Sequence, residues 1–476
     1  MAKSIGNNKN GLRTHHPYRG INPAQLNKEQ PSIDGFTKKT KDQINIFAQG
    51  YMSFLSKIRI APDVTNEVIE IVKNSPSSNK KNYLETNEDR TAFGLVAFGK
   101  RPVNEGVRIL YSHTDSPCLR AKINPAFIEW DPELSHVKLG TLFDVFGYGG
   151  IMPHNWKSRV LGVRGWAYIK GKRLEISTKM LSSERNVHTD WSYAEGKSLG
   201  EAHSEESLKL NTGHQNIEAL LKDLKFKGLE DFARAAIFIV PREPAETLGN
   251  YINGYGHDAR SGIYTAIRSV IDQKNLEYTT LVFGFDKEEV GSKGSGGADS
   301  IFFERVFDQM LIESGIVKSH NQITDSLRRE IYSSSLAINT DVDVGSSEKE
   351  FDEGNSSVID TRNVGRLGCG VFLNSTDGTY GDQVSPILVD HVMEGLKNIV
   401  FHTVGSPVKA DLSSTFGTMN EYTARRGIPT INLGTPTCGL HSPVETIHMG
   451  DLYCLYQACK QVPQRLFEDK IIRKYF

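Results

Sequence analysis

Residues 278–292, YTTLVFGFDKEEVGS, decide how the rest of the chain is read. The apolar run Thr280–Phe285 has the length of a buried strand and is far too short to span a membrane. It ends abruptly in Asp286, Glu288 and Glu289. The same pattern, an apolar run closed by polar residues, recurs on either side. Residues 91–99 (TAFGLVAFG), 106–117 (GVRILYSHTDSP), 334–341 (SSLAINTD) and 428–436 (IPTINLGTP) read as strands, and 256–272 (GHDARSGIYTAIRSVID) reads as a turn followed by a helix. Apolar positions between Lys41 and Lys73 suggest helices broken near Pro62. Strand–loop–helix alternation of this kind argues for an α/β fold, a sheet with helices on both faces. Residues 120–248 differ: 136–150 (HVKLGTLFDVFGYGG), 160–177 (VLGVRGWAYIKGKRLEIS) and 235–241 (AAIFIVP) are strand-like and punctuated by glycine. The expected organisation is an α/β domain made of 1–119 and 249–476, interrupted by a smaller β-rich domain at 120–248. Leu181–His214 is expected to be a long polar loop, and residues 1–40 an extended arm.

Composition narrows the function. The 476 residues carry 56 Lys+Arg against 57 Asp+Glu, a net charge of −1, so no basic excess points to nucleic acid or an anionic membrane. The five cysteines are odd in number, irregularly spaced and free of any CxxC pair, which argues against a disulfide framework and for free thiols in a reducing compartment. The polar N-terminus lacks the apolar run of a signal peptide, so a cytoplasmic protein is expected.

The acids and histidines fall at the ends of the expected strands, where open α/β sheets place their sites. His113 and Asp115, His257 and Asp258, Asp286 with Glu288 and Glu289, Asp341 and Asp343, and His441 with Glu445 form five such clusters. One scheme accounts for them all: two zinc-like ions, about 3.5–4 Å apart, held by imidazoles and carboxylates with one carboxylate shared. A further carboxylate then serves as general base, and an Asp two residues after a ligand His orients its ring. His257 reads as the neighbour of a ligand. Taken singly, each cluster has a plainer reading, as a turn, a cap or a loop histidine.

These segments resemble the M18 metallo-aminopeptidases, the aspartyl aminopeptidases. Residues 112–122 (SHTDSPCLRAK) resemble that family's H-T-D-S-P-x-x-R-x-K signature, and 285–292 (FDKEEVGS) match F-D-x-E-E-V-G-S. Residues 148–165 (YGGIMPHNWKSRVLGVRG) resemble its glycine-rich stretch followed by H-x-W-x-x-R-x-L, and 433–445 (LGTPTCGLHSPVE) its M-H-S segment with Leu440 for Met. The resemblance implies a three-layer α/β/α zinc-peptidase domain with an inserted β-rich lid and oligomerisation domain. It implies two Zn2+ per subunit, with Mn2+ or Co2+ as substitutes. His113 and Asp341 would bind one ion, Glu289 and His441 the other, and Asp258 would bridge. Glu288 would be the general base acting on a metal-activated water, and Asp115 would support His113. Peptides with acidic N-terminal residues are the implied substrates, and a dodecameric homo-oligomer the implied assembly. Lys409, in residues 404–418 (VGSPVKADLSSTFGT), is the candidate cation for an acidic side chain, and His154 a candidate substrate contact.

The chain also departs from the family pattern. Where D-M-A-H-A-x-H-P-N is common, residues 341–350 read DVDVGSSEKE, which makes Asp343 a rival to Asp341. Where many members read L-D-N-L, this chain reads HDARS. Two other readings follow: an M42-like aminopeptidase with a different N-terminal preference, suggested by DARSG and EEVG, and a weakly active metal-dependent assembly or cargo protein.

Overall fold

The computed structural model describes residues 36–75, 82–130, 138–183, 196, 198, 208–346, 364–374, 384–405 and 419–465. Its largest sheet has eight strands, in the order Tyr83–Thr86, Phe93–Ala97, Thr280–Phe285, Arg108–His113, Leu336–Asn339, Thr430–Gly434, Val371–Asn374 and Phe401–Val404. The four at its centre, Thr280–Phe285 to Thr430–Gly434 in that order, run parallel to one another. Successive strand side chains face opposite ways, and the central strands supply two cores accordingly. Leu110, Val282, Ile338 and Ile431 pack beneath the helices Lys38–Lys57, His257–Ile271, Pro386–Leu396 and Met449–Gln461. Ile109, Tyr111, Leu281, Phe283 and Ala337 pack against Phe302–Glu313 and Asp325–Ser333. Apolar residues on both faces of these strands are what a sheet covered on both sides requires. The result is the expected three-layer α/β/α arrangement.

The second unit is a closed antiparallel barrel. Its strands follow the order Cys118–Trp130, Lys138–Tyr148, Lys209–Asn211, Lys172–Ser183, Val160–Ile169 and Ala235–Pro241. Leu119, Phe143, Leu161, Val163, Met180, Leu210 and Ile239 belong to its core, together with Leu220 and Leu224 of the helix Ile217–Leu224. Only four residues separate the sheet strand ending at His113 from the barrel strand beginning at Cys118. The HTDSP segment is therefore the junction of the two units. The chain leaves the barrel at Pro241 and enters a small sheet of Glu246–Leu248, Tyr251–Gly254 and Glu445–His448, which leads into the helix His257–Ile271.

The expected break near Pro62 lies between the helices Lys38–Lys57 and Ala61–Lys73. Pro62 sits in the first turn of the second helix, where its missing N–H costs nothing. The expected loop Leu181–His214 is corrected at its ends. Leu181–Ser183 belongs to a barrel strand, and Lys209–Asn211 is a strand paired on both sides, with Leu208 and Leu210 buried. Most of the residues between them lie outside the described set, as does nearly all of the expected arm. All five cysteines are free. Among the described residues, no helix is long and apolar enough to cross a membrane.

Candidate metal centre

The carboxyl ends of the four parallel strands bring the strand-end acids and histidines to one place, as open α/β sheets do. His113 is the last residue of its strand and is buried. Asp258 stands in the first turn of His257–Ile271, where the backbone departs from helical geometry at Asp258 and Ala259. That helix approaches closely because residue 262 is glycine: a Cβ there would lie 2.0 Å from the carbonyl oxygen of Thr340. Asp341 follows the strand Leu336–Asn339. Glu288 and Glu289 open the short 3-10 turn Glu288–Val290, just beyond Thr280–Phe285. His441 lies in the loop before Glu445–His448 with φ of 63°.

Three groups of donors form among the described residues. His113, Asp258 and Asp341 are one, Asp258, Glu289 and His441 a second, and His113, Glu288 and Glu289 a third; within each, one donor atom per residue lies within 4.8 Å of the others. Asp258 belongs to the first two groups. Its Oδ1 is 2.9 Å from His113 Nε2, and its Oδ2 is 3.6 Å from His441 Nε2. Asp341 Oδ1 is 3.3 Å from His113 Nε2, and Glu289 Oε2 is 3.5 Å from His441 Nε2.

Both imidazoles are oriented from behind. His113 Nδ1 lies 3.0 Å from the carbonyl oxygen of Asp115, nearer than the 3.4 Å to that residue's Oδ1. His441 Nδ1 lies 3.1 Å from the carbonyl oxygen of Gly150. An Nδ1–H donated to each carbonyl leaves Nε2 of both rings facing the shared carboxylate. The Asp115 carboxylate has further partners: it accepts from the backbone N–H of Glu288 (3.2 Å) and Glu289 (3.3 Å) and from the Tyr148 hydroxyl (2.8 Å). Glu445 is buried and accepts from the backbone N–H groups of Asp258 at 3.0 Å and His441 at 3.1 Å. Sequence reasoning placed Glu445 at a strand end without giving it this task. Its position four residues after His441 was the available signal.

Burial pushes the carboxyls of Glu288 and Glu445 up to about 8, and neighbouring carboxylates add to the effect. Burial likewise raises Asp341, and raises Glu289 well above the usual carboxylate range, with Asp258 the next cause for Glu289. Burial alone would lower His113, but Asp341 and hydrogen bonds to Asp115, Asp258 and Asp341 outweigh it and hold the ring well above its ordinary value. The cluster is thus a concentration of negative charge with little to offset it. Glu289 Oε1 is buried and has no hydrogen-bond partner among the described residues. Carboxylate oxygens and oriented imidazole nitrogens are the donors zinc takes, so the residues present fit such an ion.

Other expected residues are placed differently. Asp343 stands in none of the three groups; its Oδ1 accepts from Val344 N–H, and its Oδ2 lies 3.5 Å from Asn374 Nδ2. His257 is buried, with Nδ1 at 2.7 Å from the Tyr51 hydroxyl and Nε2 at 3.1 Å from the Ile252 carbonyl. Burial lowers its pKa to about 3, so the ring is neutral. His154 is exposed on the turn Pro153–Trp156 and belongs to no donor group. Lys409 lies outside the described residues.

Comparison with known proteins bears on the family and the fold. The model of the family described as aminopeptidase I zinc metalloprotease (M18) matches residues 67–462. A probable M18 family aminopeptidase 1 of Borreliella afzelii is 29% identical over 474 residues, covering 91% of this chain and 99% of that protein. The crystal structure of an M18 aminopeptidase from Thermotoga maritima superposes with a TM-score of 0.78 at 25% identity, over 92% of this chain and all of that one. Aminopeptidase I from Clostridium acetobutylicum shares the fold with a TM-score of 0.75 at 21% identity, over the same shares.

Proposed function

Because the chain belongs to the aminopeptidase I (M18) family of zinc metalloproteases, we propose that it releases acidic N-terminal residues from peptides at a centre holding two zinc ions. The single observation that carries the two-ion reading is the Asp258 carboxylate, whose Oδ1 lies 2.9 Å from His113 Nε2 and whose Oδ2 lies 3.6 Å from His441 Nε2, so that its two oxygens serve different donor groups. His113 and Asp341 would hold one ion, Glu289 and His441 the other, with Asp258 between them. When bound, zinc supplies Lewis acidity toward water and the scissile carbonyl, a role Mn2+ or Co2+ also fills. Glu288 takes the proton of the attacking water and passes it to the leaving amine. Asp115 steadies His113 and the turn that carries Glu288. Carboxylates of the centre together with the metal would hold the free α-amino group of the peptide, which favours cleavage at the first residue.

The acidic preference rests on the resemblance to aspartyl aminopeptidases, with Lys409 as the cation. The proposal extends to residues 120–248 as the inserted unit and to a cytoplasmic homo-oligomer. Twelve subunits follow from family resemblance, and the mature aminopeptidase 1 of S. cerevisiae is a dodecamer. Metal analysis beside hydrolysis of Asp-, Glu- and Leu-anilides tests the core of the reading. Two zinc ions per chain and faster cleavage of the Asp and Glu substrates are expected. One ion per chain would overturn the dinuclear reading, and a preference for Leu the acidic one. Metal-stabilised oligomers that cleave nothing would favour an assembly protein.

A further inference from the structure

The glycine-rich segment that opens with Tyr148 supplies none of the donors above, yet it reaches both ends of the centre. Tyr148 closes a barrel strand and is buried, with its hydroxyl 2.8 Å from Asp115 Oδ2. Two residues on, the Gly150 carbonyl lies 3.1 Å from His441 Nδ1. Farther along, Trp156 Nε1 donates to the His441 carbonyl at 3.4 Å. Between them, Gly149 has φ of 79°, and a Cβ there would meet the Glu289 side chain at 3.0 Å and Pro117 Cα at 3.2 Å. Only glycine lets the segment lie this close to the turn carrying Glu289.

On the reading of the site given above, we infer that Tyr148 is a positioning residue of the metal centre. Its hydroxyl fixes the Asp115 carboxylate and, through it, the Glu288–Glu289 turn. Asp115 is the pivot: its Oδ1 lies 3.4 Å from His113 Nδ1 and takes the Glu288 N–H, while its Oδ2 takes the Glu289 N–H and the Tyr148 hydroxyl. Without the Tyr148 hydroxyl, Oδ2 keeps one long backbone bond at 3.3 Å, and the carboxylate can rotate. Rotation loosens the turn that carries Glu288 and Glu289. The barrel thus acts on the reaction through one oxygen atom. Losing a partner behind a metal ligand typically costs about 10–100-fold in metal affinity or activity.

Tyr148→Phe removes that oxygen and keeps the ring, which packs edge-on to Phe238. Zinc affinity, read by competition with a chromogenic chelator, should fall about 10–100-fold. The visible spectrum of the Co2+-loaded protein should change, kcat should fall while KM holds, and the melting temperature of the metal-free protein should stay within a few degrees. In an Asp115→Ala background, where no side-chain partner remains, the same substitution should add nothing, because its route is gone. Trp166→Phe is the packing control: Trp166 stacks on Phe238 in the same barrel and stands in none of the donor groups. Wild-type zinc affinity and kcat in Tyr148→Phe overturn the inference, as does an undiminished loss in the Asp115→Ala background or an equal loss in Trp166→Phe. A wild-type protein with neither zinc nor turnover overturns the proposed function, and this inference with it. Failure of the Tyr148 variants alone, in a zinc-bound active enzyme, removes only the inference.

Discussion

The ends of the parallel strands and the barrel meet at the same site but bring opposite chemistry. The strand ends and the loops beyond them deliver every charged donor: His113, Asp258, Glu289, Asp341 and His441, with Glu288 beside them. The barrel side delivers neutral groups, the Tyr148 hydroxyl, the Gly150 carbonyl and the Trp156 indole N–H. Crowded carboxylates repel, and burial raises the cost of each charge. They have to be carried on elements that cannot move apart, and the centre of a sheet packed on both faces is the most rigid place the fold offers. Neutral hydrogen bonds demand less, so a separate unit can supply them. One part holds the charge, and the other aims it.

The largest effect should come from Asp258, whose two carboxylate oxygens face His113 and His441 separately. Asp258→Ala should lose both ions and bring turnover to background, with zinc content measured on the purified protein as the check. A variant retaining two zinc ions would mean that the strand-end acids do not share this carboxylate. Glu288→Gln comes next. Turnover should fall by about 10²–10⁴-fold, the usual reach of general acid–base catalysis, while zinc content stays at the wild-type level. Loss of the metal in that variant would move Glu288 from proton transfer to ligation.

Removing the metal isolates the charge-holding half. Glu288 and Glu445 are raised from 4.5 to about 8 in the folded protein, so between these values it binds more protons than the unfolded chain. Stability of the metal-free form therefore falls as pH rises from about 5 to about 8. His113, raised above 6.5, acts in the same direction, since its stabilising charge is lost on the alkaline side. Asp115 is held low, chiefly by its hydrogen bond to His113 against the opposing effect of burial, so its contribution is lost only on the acid side of that window. The melting temperature of chelated protein should drop by more than about 5 °C over this range. Added zinc should remove most of the drop. A flat profile without metal would show that the strand ends tolerate their charge unaided. The roughly 10–100-fold loss expected of Tyr148→Phe probes the other half.

How much of this was legible in the sequence follows the same division. Thr280–Phe285, Arg108–His113, Leu336–Asn339 and Thr430–Gly434 announce themselves because burial on both faces gives each a run of adjacent apolar residues. Their acids stand out because charge right after such a run is rare without a use. The barrel's closure was not legible: Lys209–Asn211 is three residues long, too short for any period to show. The two partners of Glu445, the backbone N–H groups of Asp258 and His441, were equally hidden, because the first is 187 residues away in the chain. Hydrogen bonds to backbone groups leave no compositional trace. Tyr148 was visible only as the first letter of a glycine-rich motif.

The smallest effect tests whether the barrel touches the centre anywhere else. Asp144 lies in the barrel strand that ends at Tyr148, and it pairs with Lys122 at 2.8 Å and with Lys209. Burial pushes its carboxyl up, but the two lysines outweigh that and hold it below the usual range. The charges are still open enough to water for salt to screen them, so the pairs should stabilise by only about 0.2–1 kcal/mol each. Asp144→Asn should lower the melting temperature by a few degrees at most, and the difference should shrink in 1 M salt, where screening reaches about 3 Å. Zinc affinity and kcat should not move, because Asp144 stands in no donor group and bonds to none of the residues that orient one. A tenfold loss of zinc affinity would mean that strain in the strand Lys138–Tyr148 travels four residues to the Tyr148 hydroxyl. The barrel would then aim the centre with its whole strand, not with one oxygen atom and the turn beside it.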